Sequence, residues 1–63
     1  MNEPSGAQLL TIEQAAERLQ VGANAIRWLM RTKQISYVVI ARKTRFRPQD
    51  IEKYIREKLV EAI

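Results

Sequence analysis

Asn24, Arg27 and Arg31 carry the chemistry that this 63-residue sequence suggests most directly. Their spacings of three and four bring them to one face of a helix. An Arg guanidinium donates two parallel hydrogen bonds to guanine, and an Asn amide pairs bidentately with adenine. Asn24 near a helix start equally suits a cap. Trp28 lies beside them, its ring suited to packing against protein and its N–H to the sugar–phosphate backbone. A second group, Arg42, Lys43, Thr44 and Arg45, gathers three cations and a hydroxyl within four positions. Such a cluster suits phosphates or a narrow minor groove, or serves as charge that protects an exposed strand edge.

The charge distribution favours a polyanion. The net charge is +4, but no acidic residue lies between Arg18 and Gln49. That stretch carries Arg18, Arg27, Arg31, Lys33, Arg42, Lys43, Arg45 and Arg47, whereas Glu3, Glu13, Glu17, Asp50, Glu52, Glu57 and Glu61 all fall outside it. A middle of one sign sets up a positive field. Arg18 belongs to the outer face of the first helix.

The same inventory argues against catalysis. Cysteine and histidine are absent, which removes thiolate chemistry, disulfides, the commonest general base and the commonest metal ligand. The carboxylates show no paired arrangement for acid–base work. The expectation is a non-enzyme with no metal and no cofactor. The length allows one domain with a small core. No apolar run approaches the roughly 20 residues of a membrane span, and Met1–Gln8 lacks the basic and apolar regions of a signal peptide. A cytoplasmic, nucleoid-associated protein with no membrane partner is expected.

Three helices and a hairpin must position these residues. Residues 1–8 read as a flexible tail and 9–63 as the domain. Thr11-Ile12-Glu13-Gln14 is a capping box, with Leu10 before it as a weak staple against Ala15. Ile12, Ala15, Ala16 and Leu19 keep helical spacing up to about Gln20. A second helix is predicted from about Ala23 to Lys33, burying Ile26, Leu29 and Met30. The short Gln20-Val21-Gly22 link forces a sharp corner, with Val21 expected to fill it from inside. Ile35–Ile40 reads as a strand and Arg45-Phe46-Arg47 as its partner, with Phe46 opposite in sense to the two arginines. Ala41–Thr44 form the basic tip between them. Its turn type stays open, because Gly and Asn are missing. Pro48 opens a third helix, with Asp50 in its first turn. Its stripe of Ile51, Tyr54, Ile55, Leu59 and Ala62 is predicted to run to Ile63, with Glu52 and Arg56 as an i,i+4 pair. The fold class is mainly α with a small β-hairpin, a winged helix-turn-helix.

The segments "LLTIEQAAERLQV", "AIRWLMRTKQI" and "VVIARKTRFRPQDIEKYI" resemble the excisionase-type, MerR-like winged helix-turn-helix family from residue 9 to about 55. The last segment is the most specific. The resemblance implies that the second helix enters the major groove of double-stranded DNA, presenting Asn24, Arg27, Trp28 and Arg31, while Arg42, Lys43, Thr44 and Arg45 form a wing on the adjacent minor groove or backbone. It further implies an excisionase, or recombination directionality factor, of a phage or mobile element. Such a protein binds and bends attachment-site DNA to promote excision, with an integrase and neighbouring copies of the chain as further partners. The other readings are a small MerR-like transcriptional regulator and a basic protein-interaction module. The apolar end Leu59–Ile63 suits either a partner or the domain's own core. The chain departs from the family pattern at Gly22, where a Ser or Thr cap is usual, and at Lys33 and Ala41, where Gly is usual.

Overall fold

Thr11 starts the first helix as its spacing predicts. In the computed structural model, which describes residues 8–61, the Thr11 Oγ1 accepts from the Gln14 amide at 3.0 Å and the Gln14 side chain accepts from the Thr11 amide at 2.9 Å. This box opens α1, Ile12–Leu19. The expectations for Met1–Ala7 and for Ala62 and Ile63 lie outside the described residues. The remaining elements are α2 (Ala23–Arg31), β1 (Val38–Ile40), β2 (Lys43–Arg45) and α3 (Pro48–Glu57). Helix, corner, helix, hairpin, helix is the order of a winged helix-turn-helix.

Both helices of the corner end in the same way. The Val21 amide reaches back to Ala16 O at 2.9 Å and the Gln20 amide to Glu17 O at 3.1 Å. At the end of α2, Gln34 reaches Leu29 O at 2.8 Å and Lys33 reaches Met30 O at 3.1 Å. These are Schellman closures, which place one residue in the left-handed region. Gln20 (φ 58°) and Lys33 (φ 60°) occupy that position, where a Gly would be less strained. The second closure stops α2 at Arg31, two residues short of the expected Lys33.

The core is built from Ala15, Ala16, Ile26, Leu29, Ile35, Phe46 and Ile51. The largest fully buried side chains are Phe46, Ile26 and Ile51, so one residue each from the hairpin's base, α2 and α3 meet at its centre. Burying each contributes roughly 1.5–3 kcal/mol. Leu10, half-buried, packs against the core that includes Ala15. It forms a two-way backbone bridge with Phe46, both bonds at 2.8 Å, and so pins the approach to α1 against the hairpin.

Several expected details differ. The first strand begins at Val38, not Ile35, because Ile35 is drawn into the core. Val21 is 43% exposed rather than inside the corner, because the left-handed turn at Gln20 directs it outward. The third helix ends at Glu57, with Lys58 as its cap, and Ile55, Leu59 and Val60 stay exposed. Its later turns border an open apolar groove facing Leu19, Val21 and Trp28 rather than a closed core. Packing, rather than propensity, sustains most helices of this length. Glu52 pairs with Arg18 at 3.6 Å instead of with Arg56, and Lys53 pairs with Glu57 at 3.9 Å. No described helix is long and apolar enough to cross a membrane.

Candidate nucleic-acid interface

The inward side of α2 is fixed by Ile26 and Leu29, both buried. With that stripe inside, Asn24, Arg27 and Arg31 turn outward, and all three are exposed. Asn24 and Arg27 touch: Arg27 Nη1 donates to Asn24 Oδ1 at 3.3 Å. Gly22 begins the helix with no side-chain hydrogen bond. Ala25 donates to Gly22 O at 3.0 Å, so the first-turn amides left without an intrahelical acceptor are those of Ala23 and Asn24.

Trp28 occupies the flank of this face. Half exposed, it lines an apolar groove with Leu19, Val21, Ile55 and Leu59. Its ring therefore lies toward the α1–α3 side of α2, while Arg27 and Arg31 lie away from that groove. The same groove is bordered by the core residue Leu29.

The hairpin is tighter than the sequence reading placed it. β1 and β2 pair antiparallel in the register Val38 with Arg45, Val39 with Thr44 and Ile40 with Lys43. The tip is therefore only Ala41-Arg42, and Lys43 and Thr44 belong to the strand rather than to a four-residue interruption. Ala41 and Arg42 both have positive φ, 50° and 67°. This is the backbone of a two-residue type I′ connection, whose twist matches that of the flanking strands. The sequence holds no Asn or Gly to announce it. Arg42 and Lys43 are exposed and Arg45 half-buried, with Arg45 Nη1 donating to Thr44 O at 2.7 Å. Along β2, Lys43, Thr44 and Arg45 line a shallow polar hollow with Thr11, Ile12 and Glu13 of the first helix. Phe46 points opposite to its flanking arginines, as alternation requires, and its ring centroid lies 6.2 Å from that of Tyr37.

The cations divide into committed and uncommitted groups. Arg18, Arg47 and Lys53 form ion pairs. Among the described residues, Arg27, Arg31, Arg42, Lys43 and Arg45 have no carboxylate within ion-pair distance. Lys33 after α2 and Arg56 and Lys58 at the end of α3 likewise form no ion pair among the described residues, Lys58 lying 5.5 Å from the Tyr54 ring centroid.

Arg47 is the basic residue whose role the sequence reading missed. It is the N-cap of α3, and its Nε and Nη2 donate to Asp50 Oδ2 and Oδ1 at 2.6 and 2.9 Å. This fork holds the Asp50 carboxyl below its ordinary pKa, first by hydrogen bonding and then, against the opposing effect of burial, by charge. The same contact raises the Arg47 pKa. The spacing R-P-Q-D, an N-cap and its third helical residue, was the signal available. Among the described residues no cluster of acidic side chains could hold a metal ion.

A family model described as a helix-turn-helix domain matches residues 9–59. No curated protein and no solved structure is matched by the chain.

Proposed function

From the premise that the chain belongs to the helix-turn-helix domain family, which includes excisionase-type DNA-binding proteins, we propose that it is an excisionase acting on attachment-site DNA. In this reading α2 enters the major groove and presents Asn24, Arg27 and Arg31 to base edges. The hairpin lies along the adjacent backbone or minor groove, with Arg42, Lys43 and Arg45 near phosphates and Thr44 adding a hydroxyl. Trp28 meets the duplex with its N–H, from the rim of its groove. The bound DNA is bent, and an integrase and neighbouring copies of the chain join the assembly.

One observation carries the reading. Arg27, Arg31, Arg42, Lys43 and Arg45, all without carboxylate partners among the described residues, gather on α2 and the hairpin within a stretch that holds no acidic residue, whereas Arg18, Arg47 and Lys53 are engaged elsewhere. Free cations gain from releasing the counterions condensed on DNA, about 0.9 per phosphate contacted. Three wing contacts alone would give a log–log salt slope near −3.

The test is a footprint on the DNA flanking the gene at two salt concentrations, followed by an excision assay with the neighbouring integrase. Protection at an attachment site, together with stimulated excision, is expected. Protection confined to a promoter, with excision unchanged, would make the protein a transcriptional regulator. Binding indifferent to sequence at both salts would leave only a basic interaction module.

A further inference from the structure

We infer that the outward face of α2 reads chiefly hydrogen-bond acceptors, so that its preferred target is guanine, and that Asn24 acts there as a positioning residue for Arg27 rather than as a reader of adenine. The inference rests on α2 being the element that enters the major groove.

The contact between the two side chains fixes the direction of the amide. A guanidinium has donors and no acceptor, so the group facing Arg27 Nη1 at 3.3 Å is the Asn24 carbonyl, and the amide NH2 points away. Bidentate recognition of adenine uses both ends of an Asn amide, the carbonyl accepting from N6–H2 and the NH2 donating to N7. With its carbonyl facing Arg27, Asn24 could pair with adenine only by giving up that contact or by sharing one oxygen between two donors.

The other side chains of the face are mostly donors. Arg27, Arg31 and the Trp28 indole N–H can only donate. No carboxylate occurs from Arg18 to Gln49. The hydroxyl at the end of the helix, Thr32 Oγ1, is engaged twice, donating to Trp28 O at 2.7 Å and accepting from Gln34 Nε2 at 2.9 Å. Donors predominate on the face.

The base edges answer these donors unequally. Guanine presents two adjacent acceptors, N7 and O6, whereas adenine replaces the second with a donor and cytosine offers only a donor. A donor set against a donor leaves both without a partner as water is excluded. The Asn24 contact uses one N–H of Arg27 and limits its rotation, leaving the other donors of the fork for guanine. Orienting a flexible side chain before binding reduces the ordering cost on binding.

Selection from duplexes with a randomised core tests this at fixed ionic strength. Guanine should be enriched at one or more positions, and changing it to adenine should weaken binding about ten- to a hundredfold. Replacing it with 7-deazaguanine, which lacks the N7 acceptor, should also weaken binding. N24A should lower the guanine-to-adenine affinity ratio several-fold, a ratio from which any uniform loss of affinity cancels. N24D keeps the oxygen that orients Arg27. It should preserve the ratio while weakening both duplexes alike through its charge. Selection of adenine at a position that N24A abolishes would overturn the inference, as would a ratio that N24A leaves unchanged. Salt-sensitive binding with no base preference would end the inference and leave DNA binding intact. No binding to any duplex would end the underlying reading itself.

Discussion

Replacing Gly22 with Ser should stabilise the domain, and the structure sets the size of the effect. Gly22 is the N-cap of α2 with φ −78° and ψ 161°, an extended conformation open to any residue. A Cβ added there meets no atom within 4 Å. α2 lacks the side-chain cap that α1 receives from Thr11. Two terms act in the same direction. A serine cap in place of glycine contributes a few tenths of a kcal/mol, and losing glycine's freedom in the unfolded chain adds about 0.4–1 kcal/mol. The sum, roughly 0.5–1.5 kcal/mol, is large for a domain this small. One kcal/mol corresponds to a rise in Tm of about 4–8 °C. Thermal and urea unfolding followed by circular dichroism measure it, with T11A as the converse change, expected to cost about 1 kcal/mol. A midpoint unchanged or lowered by G22S, at constant urea m-value, would refute the reasoning. The start of α2 would then be satisfied in some way other than the one described.

Four other outcomes follow from named contacts. Arg27→Ala should lose about 1–3 kcal/mol at its preferred site and relax preference at one base pair. An equal loss on all sequences in competition binding would make Arg27 a phosphate ligand. Lys43→Ala should weaken all duplexes about equally and reduce the salt slope by about one, and an unchanged slope would remove Lys43 from the interface. Because the Asp50 carboxyl titrates lower in the folded protein than in the unfolded chain, its contribution is complete above a pH of about 4 and fades as pH falls through the lower, folded value. Asp50→Asn should therefore destabilise at neutral pH, and the gap should close in acid. A gap constant with pH in urea titrations would contradict the Arg47 fork. Phe46→Ala, at the fully buried centre, should cost about 3–5 kcal/mol and leave little folded protein by circular dichroism. A cooperative transition near that of the parent would show that the core does not close on this ring.

The helices were legible where side-chain pattern and packing agree. The capping box at Thr11 and the buried positions of α2 could be read off because burial decides them. The hairpin's tip was harder to read, since its two left-handed residues are Ala41 and Arg42 and neither advertises a turn. The end of α3 was illegible for a different reason. Leu59 continues the apolar spacing, yet the helix closes at Glu57 with Lys58 as its cap, and Leu59 borders an open apolar groove instead of entering the core. On the candidate site, the residue types Asn24, Arg27 and Arg31 and their shared face were visible at once. The direction of the Asn24 amide was not, because a rotamer set by a neighbour leaves no trace in spacing. Lys33 and Ala41 stand where the related pattern has glycine, and both adopt positive φ. The departures thus keep the turn geometry and tolerate the strain.

The Leu10–Phe46 bridge has a mechanical consequence. Beyond it, every backbone bond of the hairpin runs between its own two strands, so the hairpin is a cantilever clamped at its root. Load applied at Arg42 is carried to the clamp and from there into the first turn of α1. Amide exchange should therefore be slowest at Leu10 and Phe46 and quicken toward Arg42, and loosening the root should make the whole arm swing rather than fray its tip.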